Sequence, residues 1–180
     1  AYDLKVVNNV IHDTEGAGLG VNGGYNILFA YNTLYRVGAR SHVLEFVFGG
    51  RTCDGDEALA GRCGENLAAG GWGTAAVGTS EPIPNRNIYV YNNLIYNPAG
   101  YQSQWQHFAL YGPLTPTAGS HIPNPAHSDD NLVIRGNVIW NGPADHSLGT
   151  GDDAACQPSN PTCNADQLSA DNAINTLEPQ

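Results

Sequence analysis

Three histidines open short apolar runs at matching places in the chain: His42 before Val43-Leu44-Glu45-Phe46-Val47, His107 before Phe108-Ala109-Leu110-Tyr111, and His146 before Ser147-Leu148. On adjacent parallel strands they would form a row spaced by about 4.8 Å. Such a row could bind a transition metal or supply a general base. A stacked polar column at a strand entrance, without chemistry, is the other reading. Glu45 sits inside an apolar run, where an unpaired carboxylate is costly to bury, so it faces outward or pairs with Arg40 or Arg51. Strand alternation would put His42 and Glu45 on opposite faces, so a regular strand does not aim both into one groove. The candidate catalytic set is His42, Glu45, His107 and Arg51.

Around it stand groups suited to a sugar. Trp72, Trp105 and Tyr111 offer aromatic faces on which a sugar ring can stack, and Arg40 and His146 offer polar contacts. Loop aromatics also simply anchor loops, and that alternative stays open. Asp54, Asp56 and Glu57 place three carboxylates on a Gly-containing turn, which suits Ca²⁺ as a cofactor. The later ligand positions of an EF-hand do not follow, and an exposed acidic turn without metal is the rival.

What would position these residues is a repeat. An eleven-residue phrase occurs four times: DLKVVNNVIHD from Asp3, NILFAYNTLYR from Asn26, NIYVYNNLIYN from Asn87 and NLVIRGNVIWN from Asn131. Aligned, it stacks Leu4, Ile27, Ile88 and Leu132, then Val6, Phe29, Val90 and Ile134, then Asn9, Asn32, Asn93 and Asn137, then His12, Tyr35, Tyr96 and Trp140. The first two copies start 23 residues apart, a solenoid period, and apolar alternation within each copy predicts strands. Stacked coils bury together the face that a single coil cannot. The Asn column suits a tight left-handed bend and a side-chain ladder. Coils are expected near 3–25, 26–86, 87–130 and 131–171. Long excursions leave after the third strand of each later coil, and insertions at one corner pile up on one side.

These columns resemble the right-handed parallel β-helix of the pectin-lyase-like superfamily, which has an asparagine ladder at one corner. The resemblance implies an all-β solenoid whose groove lies over the third-strand face, flanked by loops. It names no catalytic residue, because the fold hosts lyases, hydrolases, adhesins and phage spikes.

At 180 residues and 41% apolar the chain is most simply one domain. A formal charge of −10 argues against nucleic acid and against an anionic membrane surface. No apolar run is long enough for membrane insertion. The pairs Cys53/Cys63 and Cys156/Cys163, at spacings of ten and seven residues, read as local disulfides; these do not match zinc patterns. That places the protein in an oxidising setting, secreted or at the cell surface. The absence of Met, and a final stretch NAINTLEPQ without an evident cap, read as a segment of a longer solenoid able to self-associate through uncovered ends. The expected function is binding of an extracellular polysaccharide, with lyase-type cleavage preferred to hydrolysis. The alternative is a non-catalytic structural or adhesive solenoid.

Overall fold

A computed structural model of the chain describes residues 1–49, 82–142, 146–149 and 164–180. The repeated phrase becomes two strands in each copy. The first strands are β1 (Tyr2–Val7), β4 (Tyr25–Ala30), β7 (Arg86–Tyr91) and β10 (Asp130–Arg135), and they lie side by side in one parallel sheet. The second strands are β2 (Val10–His12), β5 (Thr33–Tyr35), β8 (Leu94–Asn97) and β11 (Val138–Asn141), and they form a second sheet extended by β12 (Ala173–Ile174). A third sheet holds β3 (Leu19–Asn22), β6 (Leu44–Val47) and β9 (Phe108–Leu110). Every pairing among these strands is parallel. Three successive passes of the chain visit the three sheets in the same order, and among the described residues β10 and β11 repeat the first two steps.

The register follows the sequence columns: Leu4 pairs with Ile27, Ile27 with Ile88, and Leu132 with Ile88. Alternation sends one face of every strand inward, and a slip of one residue would expose the whole set. Ile27, Phe29, Leu34, Leu44, Phe46, Ile88, Val90, Ile95, Phe108, Leu132, Ile134 and Ile139 fill one continuous core. Excursions do leave after the third strand. A Gly49–Ile83 antiparallel bridge closes the stem of the first, and a Leu114–Ala126 bridge lies within the second.

The ladder is present but its bend is displaced. Asn9, Asn32, Asn93, Asn137 and Asn172 form a chain in which each Oδ1 accepts both the backbone N–H and the Nδ2 of the residue one circuit earlier, at 2.8–3.0 Å. The left-handed backbone lies one residue earlier, at Asn8, Tyr31, Asn92 and Gly136, with φ of 59°, 57°, 53° and 71°. The ladder residue thus needs its amide for neighbours above and below, while its predecessor takes the turn. Tyr31 is the one bulky residue in that column and is 60% exposed. A left-handed conformation is unfavourable for such a residue and tolerated by Asn. Tyr31→Asn is expected to raise the urea midpoint, adding about 0.5–1 kcal/mol of stability.

The sequence reading of an uncovered final coil misses a helix. α1 (Ala165–Asp171) follows an Asn164 N-cap whose side chain accepts from the Gln167 N–H at 2.8 Å. It occupies the place of a fifth strand beside β10 and contributes Leu168 to the core. Asn172 then continues the ladder, and β12 pairs with β11.

Candidate functional site

The third-strand face and the corner that leads into it bring together His42, Glu45 and Trp105. On β6, Leu44 and Phe46 turn into the core, which leaves Glu45 on the outer face. Its register neighbours are Gly20 and Ala109, neither of which carries a side chain beyond Cβ. His42 lies before β6 begins, in a corner where strand alternation does not apply. The expectation that His42 and Glu45 face apart is therefore overturned: His42 Nδ1 lies 3.1 Å from Glu45 Oε1. The corner is tight because Gly38 has φ 81° and an added Cβ there would fall 2.5 Å from the His42 carbonyl oxygen.

Sequence reasoning did not single out Ser41, whose hydroxyl also donates to Glu45 Oε1. A carboxylate that accepts from two donors acts as an orienting group. An ionised carboxylate only accepts, so in this contact His42 donates from Nδ1, and a neutral ring so held carries its lone pair on Nε2. The Trp105 ring lies tilted against the His42 ring, 5.1 Å between centres, and is 47% exposed. It arrives on a strap between β8 and β9, pinned by Trp105 N–H to Ser41 O at 3.2 Å and Gln104 N–H to Gly38 O at 3.0 Å. Tyr111 is exposed just beyond β9.

The three histidines do not form a row. The β6–β9 register pairs Leu44 with Phe108, so Val43 rather than His42 lies beside His107. His107 is buried and its Nδ1 meets the Ser147 carbonyl at 3.1 Å, while Nε2 makes no hydrogen bond of normal geometry. His146 Nε2 meets the Ser103 carbonyl at 3.0 Å. Each ring thus has a different partner. Of the two arginines proposed for Glu45, Arg40 meets Glu15 at 3.3 Å instead. Arg51, Trp72, the Asp54-Asp56-Glu57 turn, and Cys53, Cys63, Cys156 and Cys163 lie outside the described residues. Among the described residues no group of three or more His, Cys, Asp or Glu side chains could hold a metal ion, and no helix is long and apolar enough to cross a membrane.

Burial pushes the His107 pKa below the ordinary histidine value, with the Ser147 carbonyl and the Asn175 side chain opposing the shift. Above the unfolded value of about 6.5 His107 is neutral in both states, and its site costs nothing in protonation. As pH falls below that value the unfolded chain takes up a proton that the folded one resists, so stability drops. His107→Gln should flatten the decline in melting temperature between about pH 7 and pH 5. An unchanged slope would remove His107 as a cause.

No family model, curated protein or solved structure matches this chain.

Proposed function

We propose that the protein is a right-handed parallel β-helix of the pectin-lyase-like kind that binds an extracellular polysaccharide and cleaves it by elimination. Three parallel sheets visited in constant order support the first part. Crossovers between parallel neighbours of one sheet are almost always right-handed. The observation that carries the second part is the His42–Glu45 pair, with an exposed Trp105 against the His42 ring. Glu45 holds Nδ1–H, and Nε2 can take the proton next to a uronate carboxylate. The C–H electrons then form a C=C bond as the bond from the β-carbon to the glycosidic oxygen breaks; that oxygen takes a proton from water to leave as a hydroxyl, and Nε2 returns its proton to solvent. Hydrolysis fits less well, since it generally takes two carboxylates flanking one bond. On this face Glu45 is already engaged by two donors.

The test is incubation of the secreted protein with uronate and neutral polysaccharides, with and without Ca²⁺. Ultraviolet absorbance reports an unsaturated product, and reducing ends report any chain cleavage. Absorbance that disappears in His42→Ala supports elimination at this site. Reducing ends without absorbance would replace it with hydrolysis. Silence on every polymer would leave a structural or adhesive solenoid as the better reading.

A further inference from the structure

A cleft opens on the corner between the second and third sheets, and Glu45 is not among its lining residues. It has a volume of about 360 Å³ and is lined by Asp13, Glu15, Arg36, Tyr101 and Gln102, among others. Two of its polar members pair with each other. Asp13 and Arg36 follow β2 and β5 in register and meet at 2.6 Å, and His12 Nδ1 lies 2.8 Å from Asp13. The Arg36 guanidinium carbon lies 4.8 Å from the Tyr35 ring centre and 5.1 Å from that of Tyr101. Tyr101 is 53% exposed.

In the next two circuits the equivalent positions are Asn97 and Asn141, which turn inward, bond to each other and are fully buried. The column therefore changes from a closed amide ladder to an outward ion pair where the cleft begins. The corner from Arg36 to His42 and the strap from Tyr101 to Trp105 both run from this cleft to the His42 site.

We infer that the cleft is a subsite for a neutral, hydroxyl-rich sugar unit. This rests on the polysaccharide reading and deepens it: the polymer carries neutral residues beside its uronates. Asp13 and Glu15 can accept from adjacent hydroxyls, Arg36 and Gln102 can donate to ring and hydroxyl oxygens, and the Tyr101 ring offers an apolar face. The charges cancel in pairs, Asp13 with Arg36 and Glu15 with Arg40, so a neutral ligand suits the cleft. A uronate carboxylate would have to compete with Asp13 for Arg36 or with Glu15 for Arg40.

The experiment is calorimetric titration of the intact protein with tetrasaccharides of glucose, galactose, mannose and xylose, and with tetragalacturonate. At least one neutral tetrasaccharide should bind. Tyr101→Ala and Glu15→Gln should each weaken it about tenfold, with Tyr101→Phe near wild type. Lys5→Ala, on β1 of the first sheet, should leave this binding unchanged, and a loss there as large as that of Tyr101→Ala overturns the subsite. Absence of binding by every neutral member, tighter binding of tetragalacturonate than of all of them, or affinity indifferent to Tyr101→Ala overturns the subsite. Turnover is read separately: elimination without Tyr101-dependent binding sinks the subsite alone, and Tyr101-dependent binding without elimination sinks the lyase reading alone.

Discussion

Glu45→Gln should reduce turnover on a susceptible uronate polymer by about 10²- to 10⁴-fold, the range that a positioned acid–base group contributes. The substitution keeps size and shape at a half-buried position, so folding should change little. What changes is the proton inventory. Glu45 now accepts from Ser41 and from His42 Nδ1–H. A glutamine places an amide in that position, and its N–H₂ can donate to Nδ1. The imidazole is then stabilised with its proton on Nε2, the atom that must remain free to act as base. The loss should fall on kcat rather than KM, because Trp105 and its stacking surface are unaltered. A Glu45→Gln protein with wild-type kcat would remove the His42–Glu45 pair from catalysis.

The sheets were legible because the repeat carries its own register. Ile27, Ile88 and Leu132 stack in the structure as they align in the sequence, since period-two alternation leaves only one face able to be buried. The ladder was legible as a column of Asn. Its division of labour was not, because both Asn8-Asn9 and Asn92-Asn93 offer an amide at the turn and at the rung. Only Tyr31-Asn32 and Gly136-Asn137 distinguish the two positions.

The site was half visible. Residue types pointed to His42, Glu45 and Trp105, but their conformation depends on a corner whose length differs between circuits. That difference moved His107 one place out of line with His42 and brought His42 onto Glu45. Ser41 gave no signal, being one serine among several. The corner cleft did give one: Asp13 and Arg36 are opposite charges at the same phrase position one repeat apart, and stacking at that spacing makes an ion pair. Helix α1 was hidden because its sequence ADQLSAD has a single large apolar residue, Leu168, too few to display a helical period.

The largest loss of stability should come from the middle of the ladder. Asn93 is 2% exposed. Its Oδ1 accepts from Asn32 N and Nδ2, each at 2.9 Å. Its Nδ2 donates to the Phe29 carbonyl at 3.1 Å and to Asn137 Oδ1 at 2.9 Å. Asn93→Ala strips the partner from a buried backbone N–H, which no water reaches, and leaves a gap between two circuits. Leaving a buried donor unsatisfied costs about 1–3 kcal/mol, and the accompanying gap brings the expected total to about 2–4 kcal/mol. Asn9→Ala is the internal comparison. Asn9 holds the same column on the exposed first circuit, where water can replace what is removed, so its loss should stay below about 1 kcal/mol. Urea denaturation of the two variants beside wild type measures the contrast. Equal midpoints would mean that core packing alone holds the circuits together and that the amide chain merely follows. A midpoint for Asn93→Ala well below that of Asn9→Ala would establish that buried amides fix the stacking. That stacking supports β6 and its corner, so the same variant should also lose the alignment of His42 with Glu45.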